Sequence, residues 1–153
     1  MNVDELSSHT DAFTDFSAEP FAFLASVAED IRWYQGDIVF EEDQQADTFY
    51  VITAGRIGLE LTAAARPPIV IQTLGPGDLL GLSWLFPPYR WNWRARATVD
   101  TTAIAFDAMA ARERLSEHAE LQHEMCALVA QQALKRLHGS RTQLLNLYET
   151  GPQ

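Results

Sequence analysis

Three of the four tryptophans fall within ten residues, in the run WLFPPYRWNWRAR, where Trp84, Phe86, Tyr89, Trp91 and Trp93 are interleaved with Arg90, Arg94 and Arg96. Guanidinium forks match anionic oxygens, and aromatic faces stack on planar rings. These residue types suit a pocket in which Arg94 or Arg96 grips an anion while a flat ligand lies on an aromatic face. Two other readings use the same residues. The rings can fill a core while the arginines stay solvated at its rim. Alternatively, the segment can form a contact surface for another protein, because Trp, Tyr and Arg anchor interfaces. All three remain open from the residues alone.

Other chemistry has less support. His9, His118, His123 and His138 all lie outside the predicted strands, and His118 and His123, five apart, do not share a helix face. No metal is therefore expected. No Ser/His/Asp grouping has motif support, so no catalytic residue is assigned and no enzyme is expected. The acids from Glu41 to Asp47 read as a solvated loop. Across 153 residues, 21 acids against 11 Lys and Arg give a formal charge of -10, which disfavours direct nucleic-acid binding and anionic membranes. The charge is uneven. Residues 1 to 47 hold twelve acids and only Arg32, whereas residues 84 to 96 hold three arginines and no acid. The single cysteine, Cys126, cannot form an internal disulfide and reads as a helix packing residue. With no apolar run of spanning length, the expected location is the cytoplasm.

The elements that must position these residues form one domain. Residues 1–16 are weakly patterned around Phe13 and Phe16 and are expected as a flexible N-terminal arm. Ser17 then caps a helix through SAEPFAFLASVAEDI, with Pro20 near its start and Phe21, Leu24 and Ala28 on one face. From Ile31 to Phe106 short strand-like runs alternate with turns at Gly36, Gly55 and the Gly75, Pro76, Gly77 triplet. Alternation at Ile57, Leu59 and Leu61, and at Ile69 and Ile71, predicts one core face per strand. Asp107 can cap a following helix and Ser116 a longer one. In the latter, Ala127, Ala130, Leu134, Leu137, Leu144 and Tyr148, interrupted by Arg141, form a heptad-like seam. The seam is read as a homodimer interface, with packing on the chain's own roll as the alternative for its first turns.

This order of short helix, glycine-punctuated roll and long terminal helix resembles the cyclic nucleotide-binding domain of the catabolite activator and potassium-channel superfamily. The resemblance covers about residues 19 to 147. It rests on WYQGDIVFEEDQQADTFYVITAGRIGLE, QTLGPGDLLG and RATVDTTAIAFD. It implies a mainly β fold with flanking helices: an antiparallel β jelly roll of cyclic nucleotide-binding type with a long C-terminal helix. The domain would span 17–149, with the dimerisation helix over about 117–149. In family members that bind cAMP or cGMP, a glycine and a glutamate after a GPGD-like turn receive the ribose. An arginine in R-x-A-x-V receives the cyclic phosphate. Here Gly81 matches the glycine, Leu82 stands at the glutamate position and, with Ala97 and Val99 as anchors, Ala95 stands at the arginine position. Hydrogen bonds to charged groups contribute about 1.5–3 kcal/mol each, so losing both predicts cAMP binding weakened by about two to four decades.

The candidate ligand-binding residues are Gly81, Leu82, Ser83, Arg94, Arg96, Ala97 and Thr98. The ligand would be a cyclic nucleotide or another small anion, with no other cofactor. The expected function is ligand sensing through an altered phosphate cassette, with the output passed to a separate effector protein, since no DNA-reading module is recognised before Gln153. The alternative is a ligand-free dimeric interaction module whose nucleotide pocket is plugged by aromatic rings.

Overall fold

In a computed structural model, which describes residues 1–149, α1 (Val3–His9) and α2 (Ala18–Ser26) precede the strands. These are β1 (Ala28–Trp33), β2 (Ile38–Phe40), β3 (Thr48–Ala54), β4 (Ile57–Leu61), β5 (Ile69–Leu74), β6 (Leu79–Leu80), β7 (Arg94–Ala97) and β8 (Thr101–Asp107). A 3-10 turn at Ser83–Leu85 follows β6, and α3 (Ala108–Leu115) and α4 (Ala119–Glu149) follow β8. The strands form two four-stranded antiparallel sheets, ordered β1-β8-β3-β6 and β2-β7-β4-β5. This is the expected jelly roll with flanking helices.

Alternation explains which side chains enter the roll. Phe49 and Val51 of β3 pair with Phe106 and Ile104 of β8, and all four are buried. In the second sheet Ile57 and Leu59 lie opposite Ala97 and Ala95, again buried. At the β3–β4 turn Gly55 has φ +95°, and a Cβ there would lie 2.4 Å from Thr101 Oγ1. Only glycine meets both demands.

Several boundaries differ from expectation. α2 stops at Ser26, because Ala28–Trp33 pairs along the whole of β8 from Phe106 to Thr101. Strand pairing overrides the helical pattern there. Ser17 makes no side-chain cap bond; instead its N–H and Oγ donate to the Glu124 carboxylate of α4. Residues 1–16, expected as a flexible arm, fold onto the core. α1 carries an Asn2/Glu5 capping box, Leu6 is fully buried, and Phe13 packs edge-on against Phe106 at 5.3 Å. Leu61 and Ile69 are largely exposed rather than core-facing, since they sit where the β4–β5 hairpin runs out beyond the roll.

Asp107 caps α3 as expected, accepting from the Ala110 N–H. Ser116 ends that helix, and α4 is instead capped by His118 Nδ1, which accepts from the Leu121 N–H. α4 presents two faces. Leu121, Met125, Leu128 and Val129 cover the roll, while Cys126 is exposed rather than packed. Ala127, Ala130, Leu134, Leu137, Arg141, Leu144 and Tyr148 lie on exposed surface. Leu134, Leu137, Leu144 and Tyr148 range from 56% to 82% exposed. The seam therefore does not cover the chain's own roll.

Candidate functional site

The site begins where β6 ends. Gly81 has φ +94°, and a Cβ there would meet Trp91 Cη2 at 2.6 Å and Cζ3 at 2.7 Å. The indole thus lies directly on the Gly81 backbone. The same indole stacks on Phe40 of β2, with centroids 4.2 Å apart and planes 13° apart. Trp91 is 5% exposed. Its loop is held by the backbone of the acidic segment, whose side chains Glu42, Asp43 and Asp47 are exposed, as expected of a solvated loop. Trp91 N–H donates to Gln44 O, Trp91 O accepts from the Asp43 N–H, and Tyr89 O accepts from the Ala46 N–H.

The aromatic segment does not act as one unit. Trp84 is fully buried and stacks on Phe49 at 4.2 Å, so it belongs to the core. Trp91 fills space above Gly81. Phe86, Tyr89 and Trp93 are exposed, with Tyr89 lying under the Arg112 guanidinium at 4.4 Å.

Beside Trp91 remains a cavity of about 350 Å³ between the roll and α4. Gly81, Leu82 and Ser83 line it, as expected for ligand contacts. Arg94, Arg96, Ala97 and Thr98 do not. Strand alternation on β7 turns Ala95 and Ala97 into the core and leaves Arg94 and Arg96 on the outer face, beside Glu60 of β4. Arg94 Nε lies 2.8 Å from Glu41 Oε2, and Arg96 Nε lies 2.9 Å from Glu60 Oε1. Arg96 Nη1 also donates to Gly36 O. Thr98 N–H and Oγ1 both donate to Arg56 O. Neither arginine reaches the cavity to hold an anion, because the acids of β4 and the 41–47 segment already hold both.

The cation at the cavity is Arg136 of α4, which inspection of the sequence missed. Burial lowers its pKa to about 10, leaving it charged at neutral pH. Its Nη2 donates to Leu79 O, while Gln132, one turn earlier, accepts the Leu79 N–H at 3.2 Å. Lys135 Nζ reaches Asp78 Oδ1 at 2.5 Å. These three residues dock α4 on the strand that leads into Gly81. The available signal was the polar spacing QQALKR on the face opposite the seam. Among the described residues, no group of three His, Cys, Asp or Glu side chains gathers as a metal site, and no helix is long and apolar enough to cross a membrane.

The profile of the cyclic nucleotide-binding domain matches residues 31–118, more than half of the chain. The chain belongs to the cyclic nucleotide-binding domain family. Within that family it is similar to a CRP-like cAMP-activated global transcriptional regulator of Mycobacterium tuberculosis, 21% identical over 94% of this chain and 63% of that protein. An uncharacterized ABC transporter ATP-binding protein of Mycobacterium bovis is 31% identical over 63% of this chain and 32% of that protein. The chain thus spans less than two thirds of the length of these curated relatives. A candidate cyclic nucleotide-binding protein from Geobacter metallireducens superposes with a TM-score of 0.80 at 23% identity, covering 90% of this chain and 99% of that one. The Thermus thermophilus catabolite activator protein superposes at 0.65 with 22% identity, covering 91% and 63%. At these identities the structural likeness establishes the fold of the family.

Proposed function

We propose that the chain is a regulatory, non-catalytic domain that senses a ligand through an altered cyclic nucleotide pocket and acts as a cytoplasmic homodimer through α4. It is not an ordinary cAMP binder. The observation that carries this reading is the Trp91 ring seated on Gly81, with Leu82 and Ala95 at the positions where the resemblance expects ribose and phosphate contacts. An indole in that place occupies the room a ribose phosphate needs. Leucine and alanine offer such a ligand no hydrogen bond.

The mechanism is a population shift. A ligand in the remaining cavity touches both the roll and α4, so it biases how α4 docks by no more than its differential affinity for the two arrangements. The dimer assignment is supported by the seam from Ala127 to Tyr148, whose large apolar side chains Leu134, Leu137, Leu144 and Tyr148 are all more than half exposed. The ligand-free interaction module remains a second reading, favoured by the same Trp91 plug and by the exposed Phe86 and Tyr89.

Titration calorimetry of the purified protein with cAMP and cGMP tests the reading. No saturable micromolar binding is expected, and micromolar cAMP binding overturns it. Light scattering at tens of micromolar should give a dimer, and Leu134→Glu should give a folded monomer. A monomeric natural chain defeats the assembly reading.

A further inference from the structure

Arg94, Arg96, Arg112, Arg114 and Arg136 are the half-buried arginines among the described residues. Arg94, Arg96, Arg112 and Arg114 each have a carboxylate within 4 Å, contributed by Glu41, Glu60, Asp47 and Glu19. Arg136 has no such partner among the described residues. The acid that acts on it electrostatically, Asp78, is held by Lys135. Its Nη2 donates to Leu79 O and its Nε, cut off from solvent, has no hydrogen-bond partner. A guanidinium carries five donors, and burying one without an anion is unfavourable.

Arg136 also lines the cavity beside Trp91, whose walls include aliphatic Leu59 and Leu82 as well as aromatic and polar groups. Phe40, Trp91 and Trp93 supply aromatic surface, and Asn92 and Ser83, joined by a hydrogen bond of 3.2 Å, supply polar groups. Aromatic walls with one charged group are the usual make-up of a small-molecule site of this size.

We propose that Arg136 is the anion clamp of this cavity and that the ligand is a small planar aromatic carboxylate, its ring against the tryptophans and its carboxylate on the guanidinium. The proposal rests on the ligand-sensing reading above and names the ligand class for it. One or two fused rings with a single carboxylate match both the walls and the charge that no carboxylate meets among the described residues. The site also supplies a route for the signal. A carboxylate on Arg136 competes with the Leu79 carbonyl for the same donors, so binding loosens one of the contacts that dock α4 on β6.

The test uses the full chain with 2-naphthoate and benzoate as probes, and the uncharged 2-naphthamide and benzamide as controls. Titration calorimetry, with tryptophan fluorescence quenching in parallel, should show saturable binding of at least one acid. That acid should bind about ten- to a hundredfold more tightly than its amide, the range expected for one charge-assisted hydrogen-bonded pair. Arg136→Met should bring the acid down to the affinity of the amide, while circular dichroism and dimer size stay unchanged. If Arg136→Met does not fold, the comparison of acid with amide on the natural chain decides by itself. The proposal is overturned if neither acid binds saturably below millimolar concentration, if acid and amide bind alike, or if folded Arg136→Met retains the acid. Parallel cAMP titration and light scattering separate the two levels. Failure of the acids with an intact dimer and no cAMP binding removes only the clamp, whereas micromolar cAMP binding removes the proposed function as well.

Discussion

A double-mutant cycle on Gly81 and Trp91 probes the contact that closes the pocket. Gly81→Ala incurs two separate penalties. The backbone at φ +94° disfavours any side chain by about 1–3 kcal/mol. The new methyl, 2.6 Å from an indole already stacked on Phe40, adds about 1–3 kcal/mol of overpacking. Trp91→Ala removes a ring that is 5% exposed and should cost about 3–5 kcal/mol. With the ring gone, only the backbone penalty remains at position 81. The double variant should therefore be about 1–3 kcal/mol more stable than the sum of the two single losses predicts. Urea unfolding of all four proteins at one protomer concentration measures this coupling, provided the denaturant slopes agree. Additivity within about 0.5 kcal/mol would refute the seating of the indole on Gly81, and with it the case for a plugged pocket.

Two further outcomes follow from the same geometry. Glu60→Ala leaves Arg94 and Arg96 facing each other without their shared carboxylate. Because those side chains are 23% and 32% exposed, water should absorb part of the penalty, leaving about 1–3 kcal/mol in urea unfolding. Arg94→Ala should cost less, since Arg96 still holds Glu60, and the reverse order would contradict the outward ladder. Leu6→Ala should destabilise by about 2–5 kcal/mol, as expected for a fully buried leucine. A loss below about 0.5 kcal/mol would return residues 1–16 to the status of a loose arm.

The roll was legible because its signals are local. Alternating apolar residues at Ile57 and Leu59, glycine at Gly36, Gly55 and Gly77 where φ is positive, and Asp107 as a cap each need only a few neighbours to interpret. The misplacements depended on distant partners. Ala28 reads as helix until β8 is there to pair with it. Leu6 and Phe13 look isolated until they are set against Phe106 and its surroundings. The direction of Arg94 and Arg96 was within reach, because Ala97 and Ala95 taken as inward positions already turn the arginines outward. Their partners were not, since Glu60 lies 34 and 36 positions away, across a strand pair. Arg136 stayed hidden because an arginine on an amphipathic helix carries no mark distinguishing a buried face from a solvated one.

The docking of α4 has a consequence for exchange with solvent. β6 pairs with β3 on one side only, so the Leu79 amide would be free on its other edge were it not donated to Gln132 Oε1. Its protection from deuterium therefore depends on a side chain of α4 rather than on a neighbouring strand. Whenever the helix lifts, that single amide should exchange while Phe49 and Val51, whose amides face β8, stay protected. The Leu79 N–H is thus a native reporter of helix position, readable without a label or a known ligand.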